Sequence, residues 1–196
     1  MADIKSALDI AKEKLEKMEG ATEEERLRWK SLPVGEALAA KYLKGEANLL
    51  AELGKYSGRQ REYIVEGISR VLANAISLPR NEEKRRANRQ AMDGLKLISK
   101  DKAAVENIYS NMRRIFDHHV GQGAEQRQQA HEQLKAEFER RIKEAQQREI
   151  GAFKGMKIDV ERQPQFQEEW RRAQLRLDGP YETYLREFRH ELLTIH

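Results

Sequence analysis

The sequence predicts an all-α fold, on three observations. Every strong apolar periodicity has steps of three and four residues, the spacing of an amphipathic helix. Charged residues make up 36% of the chain, against about 25% in an average globular protein, so the core must be thin. The longest stripe runs almost to the last residue and consists of Phe166, Trp170, Ala173, Leu177, Tyr181, Tyr184, Phe188, Leu192 and Ile195. We therefore expect an elongated helical bundle with a long C-terminal antiparallel helical hairpin.

The N-terminal quarter is expected to contain one amphipathic helix followed by shorter ones. Apolar residues recur at helical spacing over residues 4–18, and Gly20 is a favoured helix terminator. Thr22 and Glu25 have the spacing of a capping box and should open a short acidic turn. Pro33 is expected to start the next helix, because proline suits a first helical position.

Residues 59–77 give the clearest core helix. Its inward positions follow the i, i+3, i+4, i+7 pattern and are Ile64, Val65, Ile68, Val71, Leu72, Ala75 and Ile76. Pro79 should stop this helix, and Asn81 and Asp101 should cap the two that follow. Gly121-Gln122-Gly123 should end the second of them.

The C-terminal hairpin is expected because two long helical segments need each other. Residues 124–152 are polar apart from a narrow seam at Leu134, Phe138 and Ile142. The stripe over residues 164–195 offers that seam a partner. The resulting division is 1–57 (N-terminal helices), 58–121 (central core) and 122–196 (hairpin), within one continuous structural unit.

Gly179-Pro180 is a local conflict within the last helix. A proline inside a helix removes one hydrogen bond and clashes with the preceding turn. Because the stripe stays in phase across this dipeptide, one kinked helix is favoured over two. The alternative is a new helix capped by Asp178.

Catalytic, cofactor and metal sites are not expected. The sequence contains no glycine-rich phosphate loop, no G-x-S-x-G elbow and no H-E-x-x-H helix. It has no cysteine and no apolar run long enough to span a membrane. We expect a soluble, cytoplasmic, non-enzymatic protein that does not bind membranes.

Two histidine-containing clusters are candidate metal sites. His118 and His119 are adjacent and point about 100° apart on a helix, so a packed or capping role for His119 is favoured. Glu187 and His190 have the Glu-x-x-His spacing of di-iron bundles, but a second copy of that motif is missing. A metal-dependent helical enzyme is therefore the third-ranked class of function.

The middle of the chain carries the whole positive excess of the net charge of +4. Residues 58–120 contain 13 basic and 8 acidic side chains. Arg85, Arg86 and Arg89 are the candidate nucleic-acid contacts in the basic region 80–102. Acidic neighbours dilute this charge and no aromatic side chain interleaves with it, which favours an ordinary solvated helix face. A nucleic-acid or ribosome-associated protein is the alternative function.

The leading prediction is a helical scaffold or protein–protein interaction module. Phe166, Trp170, Tyr181, Tyr184 and Phe188 are the predicted hairpin or interface anchors. The expected partner is a second copy of the chain or another helical protein. For the two tryptophans, Trp29 and Trp170, we expect ordinary packing.

Two stretches of the sequence carry a resemblance to a known family. One is Ile4-Lys5-Ser6-Ala7-Leu8-Asp9-Ile10-Ala11 with Glu13. The other is Phe166-Gln167-Glu168-Glu169-Trp170 followed by Leu177-Asp178, Tyr181-Glu182 and Leu185. Together they resemble a family of small uncharacterised bacterial proteins. The resemblance implies a mostly helical fold and implies no activity.

Overall fold

The computed structural model describes residues 20–148 and 158–195, and all regular secondary structure in those ranges is helical. The elements in chain order are α1 (Glu23–Leu43), α2 (Leu49–Leu53), α3 (Gly58–Ala75), α4 (Glu82–Ile98), α5 (Lys102–Val120), α6 (Gln122–Arg148), a 3-10 turn (Val160–Arg162) and α7 (Pro164–Ile195). The all-α prediction is confirmed. The predicted helix over residues 4–18 lies outside the described residues, as do residues 149–152 of the first segment of the predicted hairpin.

The predicted helix starts are present with their hydrogen bonds. Thr22 and Glu25 form a reciprocal capping box at the start of α1. Asn81 Oδ1 accepts from the backbone N–H of Lys84 at 2.8 Å, and Asp101 Oδ1 accepts from that of Ala104 at 2.9 Å. These side chains satisfy N–H groups that have no partner within their own helices.

The prediction that Pro33 starts a helix is wrong. Pro33 lies inside α1, which is one continuous 21-residue helix. The ring is exposed to solvent, so water can reach the carbonyl that loses its usual N–H partner. Ala37, predicted to face inward, is also exposed, whereas Leu38 and Ala39 are buried.

The described chain divides into two compact units. The first contains residues 20–76, 86–106 and 189–195, and the second contains residues 77–85, 107–148 and 158–188. The three-segment division expected from the sequence stays a prediction.

The first unit depends on a close approach of α1 and α3. A Cβ atom added to Gly35 would overlap the backbone carbonyl of Ile64. One added to Gly67 would overlap the carbonyl of Leu32 and lie 3.2 Å from Gly35 Cα. The two backbones therefore meet at positions where neither helix carries a side chain. Because the distance between helix axes depends on the side chains at the contact, α1 and α3 can approach each other closely here.

α1 and α3 run in the same direction. Tyr63 Oη donates to Glu24 Oε1 at 2.8 Å, and further along both helices Arg28 Nη2 donates to Glu66 Oε1 at 2.6 Å. The residue numbers of the paired side chains increase along both helices, which is the pattern of parallel helices. The core of this unit is made by the fully buried Ile64, Ile68 and Leu72, which confirms the periodicity of the central helix.

α4 joins the first unit by a reciprocal clamp. Tyr42 Oη donates to the carbonyl of Gln90 at 3.2 Å, and Gln90 Nε2 donates to the carbonyl of Tyr42 at 2.7 Å. Gly94 allows this approach, because a Cβ there would lie 2.6 Å from the Tyr42 ring. The end of α7 is held to this unit by Arg189 Nε, which donates to the carbonyl of Ile76 at 3.0 Å.

The second unit contains the predicted hairpin. Phe138 of α6 packs edge-to-face on Phe166 of α7, with ring centroids 5.4 Å apart, and Val160 completes this buried cluster. Leu134, Ile142 and Trp170 pack around it. The pairs Phe138–Phe166 and Arg127–Asp178 run in opposite order along the two helices, so the hairpin is antiparallel as predicted.

α7 is one helix of 32 residues with Pro180 inside it. A single helix, favoured by the phase of the apolar stripe, is confirmed over two helices. Asp178 therefore does not cap a new helix. The kink at Gly179-Pro180 stays a prediction.

Among the described residues, no helix combines the length and the apolar character needed to cross a bilayer.

Filling the α1–α3 contact should destabilise the protein. We expect Gly35→Ala to lower the free energy of unfolding by about 1–3 kcal/mol, because overpacking strains a closely packed contact. The loss should appear although alanine favours a helix by about 1 kcal/mol over glycine. Urea unfolding measures the difference.

Gly54→Ala is the matched control for that experiment. Gly54 has helical angles (φ −64°, ψ −17°), and a Cβ there would make ordinary 3.5 Å contacts. This variant should be neutral or slightly stabilising. An equal loss in both variants would contradict the importance of the α1–α3 contact.

Candidate functional site

The second unit contains a buried carboxylate, that of Asp178. Asp178 of α7 accepts from Arg80 Nη2 at 2.8 Å through Oδ2, and from Arg127 Nη1 at 3.2 Å through Oδ1. His119 Nε2, at the end of α5, also lies 3.2 Å from Oδ1. We call these four residues the Asp178 cluster. It joins α5, α6, α7 and the segment between α3 and α4.

Burial makes these pairings necessary. An isolated carboxylate is strongly disfavoured away from water, and charge-assisted hydrogen bonds offset that cost only when both oxygens are satisfied. Arg127 serves a second purpose, since its Nη2 donates to the carbonyl of His119 at 2.9 Å. A cation suits this position because the last carbonyls of a helix carry partial negative charge.

Tyr181 lies one turn further along α7 and extends the polar contacts. Its hydroxyl is 2.8 Å from Nδ1 of His118, and its ring lies edge-on to that of His119 with centroids 5.1 Å apart. Gly123 makes room for the hydroxyl, because a Cβ there would lie 2.9 Å from Tyr181 Oη. α5 ends at Val120, directly before Gly121, as predicted, and Gly121 alone separates it from α6, so Gly123 already lies inside α6.

The pKa of His119 is lowered from its ordinary value. Burial is the larger cause and the positive charge of Arg127 the next, while Asp178 acts in the opposite direction. A neutral imidazole beside a carboxylate places its proton on Nε2, where it donates to Asp178. Nδ1 is then an acceptor, and it is buried without a hydrogen-bond partner in the structure. The expected packed role of His119 is confirmed.

The chemistry of the Asp178 cluster is that of a structural ion pair. Oδ2 of Asp178 accepts from Arg80, and Oδ1 accepts from Arg127 and lies beside His119 Nε2, so both carboxylate oxygens make contacts that hold the unit together. Glu187 and His190 are exposed on α7. Within residues 20–148 and 158–195, no three potential ligands come together in a metal-binding arrangement.

Sequence reasoning missed this cluster, although a signal was present. Arg127 lies in line with the narrow apolar seam of α6, two turns before Leu134, and Asp178 lies beside the stripe of α7. A charged side chain in line with each apolar face predicts that the two will pair. Arg80 carries no comparable signal, because it lies outside regular structure.

The five predicted anchors fall into different environments. Phe166 and Tyr181 are buried, Trp170 and Phe188 are half-buried, and Tyr184 is 51% exposed. Leu185 is fully buried in place of Tyr184. The buried face of α7 thus turns between its two halves, which a strict stripe of three- and four-residue steps does not capture.

Tyr184 therefore lies on an accessible aromatic face. One helical turn away on either side are Pro180, which is exposed, and Phe188, which is half-buried. We call Pro180, Tyr184 and Phe188 the Tyr184 face. Leu175, 58% exposed, is nine positions away and so points about 180° from Tyr184.

The candidate nucleic-acid contacts are all on the surface of α4. Arg85, Arg86 and Arg89 are exposed, and Arg85 Nη1 lies 3.5 Å from Glu82 Oε2. Other bases of the same region have internal partners: Arg80 pairs with Asp178, and Lys96 Nζ lies 2.6 Å from Glu106. Nucleic-acid binding stays a prediction.

The remaining candidates are an open cleft and Trp29. The cleft, of about 520 Å³, lies in the first unit and is lined by Tyr42, Gly45, Glu46, Ala47, Asn48, Leu49, Leu50 and Leu97. Trp29 is exposed on α1, and the helix expected to pack against it falls outside the described residues. Both features offer apolar contact area.

The fold and these contacts define an all-helical protein held by a buried ion-pair cluster. The chain belongs to DUF6657, a family of unknown function, whose model matches residues 50–194. No curated protein and no solved structure matches the chain. Membership thus agrees with the resemblance to an uncharacterised family and assigns no activity.

Removing the two arginines should have unequal effects. The side chain of Arg127 is 19% exposed and that of Arg80 is 59% exposed. Arg127→Ala should cost about 3–5 kcal/mol of unfolding free energy, because it leaves a buried charge short of its partner. Arg80→Ala should cost less, about 1–2 kcal/mol, because water can replace its half-exposed guanidinium as the hydrogen-bond donor to Oδ2. Chemical denaturation of both variants checks the ranking, and equal losses would contradict it.

The lowered pKa of His119 should make stability fall in mildly acidic solution. The unfolded chain takes up a proton near the ordinary histidine pKa of about 6.5, before the folded state does. The contribution of His119 is therefore fully present above that pH and is lost as pH drops below it. Unfolding free energies at pH 7.5 and 5.5 measure the effect, and His119→Gln should show a smaller difference between them.

Proposed function

We propose that this protein is a non-enzymatic helical module that binds a protein partner through the Tyr184 face. The partner is a second copy of the chain or another helical protein. The observation that carries the proposal is the half-exposed Tyr184 beside Phe188, on a helix whose other aromatic side chains are largely covered. The cytoplasm, expected from the sequence, remains the proposed compartment.

The chemistry of tyrosine supports this assignment. Tyrosine is enriched at interface hot spots because its ring contributes a large contact area with few rotatable bonds. Its hydroxyl can remain hydrated or join a hydrogen bond at the rim. A rigid helix also holds the side chain in one orientation, which lowers the entropy lost on binding.

The second candidate is nucleic-acid binding through α4, favoured by the exposure of Arg85, Arg86 and Arg89 on one helix. It ranks lower, because Glu82 lies beside Arg85 and other bases of the region pair internally. Binding of this kind would weaken steeply with salt, whereas an aromatic interface would not.

Tyr184→Ala should weaken the interaction without changing the fold. For self-association, we expect light scattering across a concentration series to show a dissociation constant at least about tenfold higher, a typical hot-spot loss. For a different partner, a photo-crosslinker placed at Tyr184 should capture a protein that the same group at Leu175 does not.

Leu175→Ala is the matched control, because Leu175 is equally exposed on the opposite side of α7. Equal losses for Tyr184→Ala and Leu175→Ala would contradict a specific interface. Salt-sensitive nucleic-acid binding that is lost in Arg85→Glu/Arg89→Glu and kept in Tyr184→Ala would favour the second candidate.

A further inference from the structure

α7 stays helical through the residues least suited to a helix. Proline at position 180 has no N–H to donate to the carbonyl of Arg176, and Asp178 and Gly179 are weak helix formers. Thr183 Oγ1 donates to the carbonyl of Gly179 at 3.1 Å, a bond that often accompanies a bent helix. Local interactions therefore do not account for the continuity of α7 at this point.

Tertiary contacts converge on the same turn from one side only. Asp178 is held by Arg80, His119 and Arg127, and Tyr181 contacts His118. On the other side Pro180 is exposed, and a Cβ added to Gly179 would lie in open space. Bending at this turn would therefore meet resistance from the Asp178 cluster and not from packing on the opposite face.

We propose that Gly179-Pro180 is a hinge in α7 and that the Asp178 cluster is the latch that keeps it closed. In the closed state α7 is one helix. In the open state the ion pairs of Asp178 are broken and α7 becomes two helical segments joined at residues 178–180. Tyr184 lies on the segment after the hinge, but the hinge exists whether or not Tyr184 contacts a partner.

Hydrogen exchange of the full chain tests the hinge residue by residue. The amides of residues 181–184 donate across the hinge to carbonyls of residues 177–180, so their exchange reports its opening. In Asp178→Asn we expect these amides to exchange at least about tenfold faster, by a local opening that is insensitive to low urea concentrations. Amides of α6 at residues 130–142 should change much less.

A rescue variant separates a hinge from a general loss of stability. Gly179→Ala adds a methyl group into open space and raises helix propensity at the hinge. In the Asp178→Asn background it should slow exchange of the 181–184 amides by about fivefold. Gly54→Ala, in the same background, is the matched control and should leave these amides unchanged. Glu182→Gln controls for loss of one negative charge on α7.

Two results would overturn the proposal. One is an equal acceleration of the 130–142 and 181–184 amides in Asp178→Asn with the same urea dependence, which would indicate global unfolding. The other is no acceleration at 181–184 at all. If Asp178→Asn does not fold, Arg80→Ala replaces it, because Arg80 is more than half exposed. That variant should give a smaller acceleration confined to residues 181–184, and its absence would equally reject the latch.

Discussion

The pairing of one buried carboxylate governs the arrangement of the second unit. Asp178 can be removed from water only where positive or hydrogen-bond-donating groups reach both of its oxygens. Arg80, His119 and Arg127 meet that requirement, and each comes from a different part of the chain. Because their donors have few other arrangements that satisfy the same oxygens, the cluster fixes the register of α7 against α5 and α6. The apolar cluster at Phe138 and Phe166 then supplies burial at the far end of the hairpin.

The first unit solves the problem of a thin core in the opposite way. The second unit brings oppositely charged side chains together. In the first unit, α1 and α3 have glycine, and so no side chain, at their contact positions Gly35 and Gly67. Close backbone contact provides many weak van der Waals attractions, which together stabilise the unit without large apolar residues. A sequence with 36% charged residues can thus form two compact units, one by backbone proximity and one by ion pairing.

Periodicity and capping chemistry predicted most of the fold, because both act over a few neighbouring residues. The helices, the caps at Asn81 and Asp101 and the seam from Leu134 to Ile142 are of this kind. Pro33 misled because a local rule for helix starts was outweighed by packing along the whole of α1. Tyr184 and Leu185 exchanged their expected burial because the inward face of α7 turns along its length, which depends on its neighbours.

The candidate site was less predictable for the same reason. Asp178 gains its partners from positions 51, 59 and 98 residues away, and separations of that size leave no periodic trace. The sequence does indicate that Arg127 and Asp178 could pair, since each is a charged residue next to the apolar face of its helix. The sequence gives no signal for the contact at Gly35 and Gly67, because a glycine that permits a close helix contact cannot be distinguished in the sequence from any other helical glycine.

The parallel course of α1 and α3 has a kinetic consequence. Antiparallel helices can dock across a short turn, but parallel ones need a connection that travels back the full length of the first. The pairs Arg28–Glu66 and Tyr63–Glu24 are accordingly separated by 38 and 39 residues. Each helix can form within microseconds, yet the glycine contact forms only after that long loop closes. The first unit therefore has more non-local contacts than a helical hairpin of the same size, and such a topology is expected to fold more slowly.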